Sequence, residues 1–253
     1  MRPEAMTVAV RPREPYEAAD LGVRLVQEHA GAVYRCWLVV LLPVLLIGLA
    51  LNFYTGMAIA MALIWWLKPL FDYVVLWLLS RTLFGVKPRV RDMLRALPGF
   101  FRLGLLGALT TRRLSMSRAY LLPVRLLEGQ RGAALNARIR LLRRNATTKA
   151  RMLFQLFALF EAAITIGLIS LIKWFAGPLF GLDDLMGFIT AAPDTWQGSV
   201  LTGLYALAVT MVEPLYVSAG FMLYLNRRTV LEAWDVEISL RGLAARLEEK
   251  EAA

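Results

Sequence analysis

Apolar residues along the chain fall into four runs that are long enough to cross a lipid bilayer. The runs cover residues 36–53, 57–79, 152–175 and 203–225. Crossing a hydrocarbon core of about 30 Å takes about 20 helical residues. The pattern therefore predicts an all-α, polytopic membrane protein with four transmembrane helices.

Three further segments have the helical period but are too polar or too broken to span a bilayer. In residues 16–33 the apolar side chains recur every three or four positions, which indicates an amphipathic helix. Residues 93–109 contain two arginines, a proline and three glycines, so an interfacial or re-entrant piece is favoured. The tail, residues 230–247, is also amphipathic. We expect all three segments to lie against the cytoplasmic leaflet or against one another.

Basic residues are placed unevenly, and their placement indicates the orientation of the spans. Residues 80–151 contain seventeen lysines and arginines but only two acids, Asp92 and Glu128. The turn after residue 53 and the loop of residues 176–197, which carries three aspartates, contain no basic residue. Because basic segments stay on the cytoplasmic side of the membrane, both termini and the long basic segment are predicted to be cytoplasmic.

This topology divides the chain into five parts. They are a cytoplasmic arm with an amphipathic helix (1–33), a transmembrane hairpin (34–79), a basic membrane-associated cytoplasmic segment (80–151), the third and fourth transmembrane helices with an acidic periplasmic loop (152–225), and a cytoplasmic amphipathic tail (226–253).

The formal net charge of +10 is compatible with nucleic-acid binding or with a membrane surface. No aromatic stacking module accompanies the arginines, so nucleic acid is the weaker interpretation. Polybasic segments beside a membrane are attracted to anionic lipid headgroups, and we expect anionic lipid to be a partner. The candidate lipid-headgroup contacts are Arg102, Arg112, Arg113, Arg143, Arg144, Arg227 and Arg228.

Four charged residues lie inside the predicted spans. Counting 1.5 Å per residue from the cytoplasmic helix ends places Lys68, Glu161 and Glu213 about 14 to 18 Å deep, and Asp72 about 11 Å deep. A charge at such depth is costly unless it is paired or neutralised. Lys68 is the only basic residue that the count places at this level, so it is predicted to be the electrostatic centre of the bundle.

Two interpretations of this cluster remain open. In the first, an ion-pair latch holds the bundle together, with Lys68 satisfying Asp72 and one glutamate while the other glutamate is protonated. In the second, the cluster is a proton or cation site. Pro69 and Pro214 support the second interpretation, because broken helices line substrate sites in transporters.

Enzyme chemistry has little support in the sequence. The chain has one cysteine and one histidine, which excludes an internal disulfide and multi-cysteine metal sites. It contains no HExxH, no GxSxG and no glycine-rich phosphate loop, the motifs of common metalloproteases, hydrolases and nucleotide-binding enzymes. We expect no catalytic, cofactor or metal site.

Five stretches of the sequence carry a resemblance to a known group of proteins. They read RPREPYEAADLG, WWLKPLFD, LLSRTLFG, RRLSMSRAYLLPVRLLEGQRG and EPLYVSAGFMLYLNRRTVLEAWDVE. Together they resemble a group of uncharacterised bacterial inner-membrane proteins, over most of residues 9–241. In longer members of that group a similar region precedes a C-terminal domain, and the genes lie near those for MoxR-type AAA ATPases and transglutaminase-like proteins. The resemblance implies a multi-pass protein of the bacterial inner membrane that works beside an ATPase-centred assembly.

The sequence thus favours a non-enzymatic scaffold or partner within a membrane-associated assembly. The alternative is a small transporter or proton-coupled channel subunit that uses Lys68, Glu161 and Glu213. A solvent-lined cavity at these residues would favour transport, whereas a dry ion-pair latch would favour the scaffold.

Overall fold

The computed structural model describes residues 11–144, 146–180, 195–234 and 240. Within these ranges the chain forms nine helices and no strand, which confirms the all-α class for the described part. The helices are α1 Pro15–Glu28, α2 Ala30–Thr55, α3 Met57–Thr82, α4 Val90–Arg102, α5 Leu105–Leu109, α6 Arg118–Leu126, α7 Gly132–Arg143, α8 Thr147–Phe180 and α9 Thr195–Glu232.

Four of these helices, α2, α3, α8 and α9, are long and apolar enough to cross a membrane. Their most apolar windows have a mean hydropathy between 1.6 and 2.5. The prediction of four potential spans is therefore confirmed by length and composition. The helices extend beyond the predicted apolar runs, because a helix does not end where the hydrocarbon does. The longest, α9, contains 38 residues, or about 57 Å at 1.5 Å per residue.

The sequence predicts one helix boundary correctly and another incorrectly. The turn between α2 and α3 is as tight as expected and is made by Gly56, whose φ of +85° suits glycine. The amphipathic helix predicted for residues 16–33, by contrast, ends earlier than predicted. It stops at Glu28, and a new helix begins at Ala30. The break at His29 allows α1 to cross α9 while α2 follows the bundle.

Helix α9 is the centre of the bundle and packs against α1, α2, α3, α6, α7 and α8. Between Val212 and Leu225 nearly every side chain of α9 is buried. Helix α1 crosses α9 where Gly22 meets Ser218, and the Ser218 hydroxyl donates to the Gly22 carbonyl at 2.6 Å. A Cβ on Gly22 would lie 2.6 Å from the same serine's carbonyl oxygen. Small residues thus allow this close crossing. Helix α1 therefore packs against the potential span α9.

Side-chain contacts show how the ends of the helices are arranged. The Asn52 amide donates to the Thr195 carbonyl at 2.7 Å, so α2 ends where α9 begins. At the other end of α9, Arg227 donates to the Arg144 carbonyl at 2.8 Å, beside the start of α8. We call the latter the basic end of the bundle. It contains the helix termini Ala30, Thr82, Thr147 and Glu232.

Residues 90–126, which we call the inserted hairpin, enter the bundle instead of covering its end. Helix α4 runs along α3, where the Tyr73 hydroxyl donates to the Leu103 carbonyl at 3.1 Å. At the tip of the hairpin, Arg113 donates to the Trp65 carbonyl, about 25 Å from the end of α3 at 1.5 Å per residue. Helix α6 then returns along α9. This packing fits the re-entrant alternative for residues 93–109 and extends it to α6.

Two other predictions fall largely outside the described residues. They concern the acidic loop of residues 176–197 and the amphipathic tail of residues 230–247.

Candidate functional site

The four charged residues predicted within the spans meet in the middle of the bundle. Lys68 of α3 forms an ion pair with Glu161 of α8. The same ammonium lies 2.9 Å from Glu213 Oε2 on α9. Asp72 follows Lys68 by one helical turn and lies on the same face of α3.

A fifth residue, Arg118, completes the cluster and was missed by the sequence analysis. Its Nε lies 2.9 Å from Asp72 Oδ2, and its Nη2 donates to Glu213. The prediction that Lys68 satisfies Asp72 and is the only base at this depth is therefore wrong. A depth count along the spans cannot include a side chain that the inserted hairpin brings in from α6. We call Lys68, Asp72, Arg118, Glu161 and Glu213 the charge cluster.

The charge cluster contains three carboxyl groups and two cations. Full ionisation would leave one net negative charge in a site where Lys68, Asp72 and Glu213 are 5%, 2% and 2% exposed. One proton makes the cluster neutral. Asp72 Oδ1 is the oxygen that fits this proton, since it is buried and has no hydrogen-bond partner among the described residues.

Aromatic side chains pack against part of the cluster. The Tyr205 side chain lies beside Glu161. The Arg118 guanidinium lies 5.1 Å from the centre of the Tyr216 ring and 5.7 Å from that of Phe154. A cation held over aromatic rings is stabilised without water. The cluster therefore resembles a dry latch more than an open ion path.

Pro69 explains why Arg113 lies at the tip of the inserted hairpin. A proline inside a helix cannot donate to the carbonyl four residues before it, and that carbonyl belongs to Trp65. Arg113 donates to this oxygen instead, and its guanidinium stacks over the Trp65 ring at 3.8 Å. Arg113 is 4% exposed, so it lies in the interior and not among surface lipid contacts.

A second polar network ties the basic end together. Arg138 of α7 donates to Glu128 Oε2 at 2.8 Å and also to Glu232. Arg228, one turn before Glu232 on α9, donates to Glu232 Oε2 at 2.6 Å. Burial lowers the pKa of Arg138, but the hydrogen bonds to its two glutamates outweigh burial and raise it. This network joins the α6–α7 turn to the end of α9.

The seven arginines predicted to contact lipid headgroups thus lie in different environments. Arg102, Arg143 and Arg144 are exposed. Arg112 and Arg227 are partly buried and donate to backbone carbonyls. Of the remaining two, Arg113 donates to the Trp65 carbonyl in the interior, and Arg228 belongs to the second network at the basic end.

A cavity of about 420 Å³ lies beside the charge cluster, inside the inserted hairpin. Asp72 and Arg118 form one wall, and Arg112, Arg125 and Arg143 line the remainder together with apolar side chains. Lys68, Glu161 and Glu213 do not line it. Among the described residues no group of three or more histidines, cysteines or acids could hold a metal ion.

Comparison with known proteins adds nothing to these observations, since no family model, curated protein or solved structure matches the chain.

Proposed function

We propose that this chain is a non-enzymatic scaffold or partner subunit of the bacterial inner membrane, with both ends in the cytoplasm. The charge cluster carries the proposal. Its five side chains come from α3, α6, α8 and α9, and every carboxyl group in it contacts a cation. Such closure fits a structural latch, because a transport site must leave a charged group accessible to its cargo.

The latch has a specific mechanical task in this fold. Helix α8 packs mainly against α9, and its outer face is apolar and exposed, as at Leu159, Ile166 and Trp174. The ion pair of Glu161 with Lys68 therefore supplies a polar attachment for a helix at the edge of the bundle. A fixed α8 presents a constant apolar face to lipid or to a partner helix.

The basic end supports the cytoplasmic assignment of both termini. It combines the exposed arginines of α4 and α7 with the termini of all four potential spans. Positive charge at one end of a bundle favours the cytoplasmic side, where it attracts anionic lipid. The resemblance to proteins encoded near MoxR-type ATPases supports such an assembly as the partner.

Transport is the second candidate, and the cavity inside the inserted hairpin favours it. The cavity reaches Asp72 and Arg118, and the cluster needs one proton to become neutral. A proton that moves between Asp72 and the cavity would connect the interior with the basic end. The lining of the cavity does not include Lys68 or Glu161, which supports the latch over transport.

Two experiments on the full chain separate the candidates. In the first, the tagged protein is purified from native membranes after crosslinking; copurification of an ATPase supports the scaffold. In the second, the purified protein is placed in liposomes and proton flux is followed with a pH-sensitive dye. Flux that Asp72→Asn abolishes and Asp20→Asn preserves would establish transport instead. Asp20 is a matched control because it is exposed on α1.

A further inference from the structure

The cavity inside the inserted hairpin is strongly basic. Four guanidinium groups line it, and Asp72 is the only acid among its lining residues. Arg118 is already paired with Asp72. Arg112, Arg125 and Arg143 have no carboxylate within ion-pair distance among the described residues. Three positive charges therefore share one enclosure without a counter-charge.

Two of these three arginines, Arg112 and Arg125, are held in place by the fold. Arg112 donates to the Gly104 carbonyl at 2.6 Å. A Cβ on Gly104 would lie 3.2 Å from Arg112 Nη2, 3.7 Å from Arg125 Cδ and 3.9 Å from the Tyr73 hydroxyl, so these three side chains converge on one glycine. The Nε atoms of Arg112 and Arg125 are buried and have no hydrogen-bond partner among the described residues. These two N–H donors are thus present and unused.

The mutual repulsion of these arginines is unfavourable. Burial lowers the pKa of Arg125, and the positive charges of Arg112 and Arg143 lower it further. Like charges in a weakly polar enclosure repel, and the partly buried guanidinium of Arg125 also loses hydration. An anion in the cavity would remove both penalties.

We propose that this cavity binds a phosphate group, held by Arg112, Arg125 and Arg143. Guanidinium groups match phosphate oxygens because their planar N–H pairs donate two parallel hydrogen bonds. The volume of about 420 Å³ accommodates a phosphate ester with a small substituent. The apolar part of the lining, including Leu114 and Leu121, suits the glycerol and first methylenes of a phospholipid. The site goes beyond the proposed function, since a scaffold or a transporter could equally carry it.

The test uses the full chain, delipidated on a column in neutral detergent. Thermal unfolding is followed with inorganic phosphate, with dioctanoyl phosphatidic acid and with dioctanoyl phosphatidylcholine, at constant ionic strength. We expect the melting temperature to rise with phosphatidic acid, and Arg125→Gln to weaken the apparent affinity about tenfold, the effect of losing one charge-assisted contact. Arg143→Gln, at an exposed position, is the second variant. Arg140→Gln is the matched control, because Arg140 lies on α7 but outside the cavity.

Comparing inorganic phosphate with phosphatidic acid also distinguishes the source of the phosphate. Stabilisation by inorganic phosphate as well as by phosphatidic acid supports a site for any phosphate ester, whereas stabilisation by phosphatidic acid alone supports a lipid headgroup. The proposal is overturned if neither compound stabilises the protein more than phosphatidylcholine does, or if Arg140→Gln weakens binding as much as Arg125→Gln. A further expected result is that Arg125→Gln melts higher than wild type without anion, because repulsion is relieved. A lower melting temperature would give Arg125 a structural role and contradict the proposal.

Discussion

Replacing Lys68 with methionine tests the latch most directly. The substitution leaves three carboxyl groups facing one cation, Arg118. Glu213 keeps its contact with that arginine, whereas Glu161 loses the cation with which it is paired. The loss therefore falls mainly on Glu161 and on the attachment of α8.

The magnitude follows from the burial of the broken pair. Removing one member of a buried ion pair typically costs about 3 to 5 kcal/mol. Protonation of Glu161 limits the loss, since a neutral carboxyl group is tolerated where a lone carboxylate is not. We expect Lys68→Met to cost about 3 kcal/mol near neutral pH, which for a chain of this size lowers the melting temperature by about 6 to 12 °C. The deficit should shrink as the pH falls, because protonation removes the uncompensated charge.

The assay is thermal unfolding in neutral detergent, followed by tryptophan fluorescence. Lys173→Met is the matched control, since it removes a lysine of α8 that lies far from Glu161 along the helix. Adding Glu161→Gln to Lys68→Met should restore more than half of the lost stability, because the double variant contains no uncompensated glutamate at that position. The reasoning is refuted if Lys68→Met melts within about 1 °C of wild type, or if the second substitution restores nothing.

Three other predictions use the same protein. Arg118→Met should destabilise at least as much as Lys68→Met in the same assay, because it leaves Asp72 without its cation and the Asp72 side chain is 3% exposed against 13% for Glu161; a smaller loss would contradict the assigned pairing. Gly22→Val should cost about 1 to 3 kcal/mol through its clash with Ser218, and an unchanged melting temperature would show that α1 does not cross α9 there. A cysteine at Asn136 should react with a membrane-impermeant reagent only in permeabilised cells, whereas one at Thr55 should react in intact cells; the opposite labelling would reverse the orientation.

Hydropathy alone predicted the four potential spans, because a helix that crosses a bilayer requires an apolar run that few other structures need. The same signal failed for the inserted hairpin. Its polar groups are satisfied by α3 and α9, as where Tyr73 donates to Leu103, so its sequence does not have to be uniformly apolar. Tertiary packing decided its position, and no single segment encodes that packing.

The charge cluster was predictable in part, because charged residues inside apolar runs are rare and need partners. Three acids and one lysine were visible in the spans, and their imbalance was itself a signal that a second cation was required. Arg118 is followed directly by the apolar residues 119–124, which could have identified it as a basic residue of that segment able to enter the bundle. From the sequence alone, Arg118 was grouped with the other basic residues of the segment 80–151.

The pairing of Arg118 with Glu213 also constrains how the protein can be assembled during synthesis. The two residues are separated by 95 positions, and Glu213 lies on the last potential span. When the ribosome has completed the inserted hairpin, the acid that neutralises Arg118 from α9 does not yet exist. Arginine is costly in lipid without such a partner. Asp72 of α3 is then the acid available to Arg118, so the inserted hairpin completes its pairing between α3 and α9 only after α9 has been made.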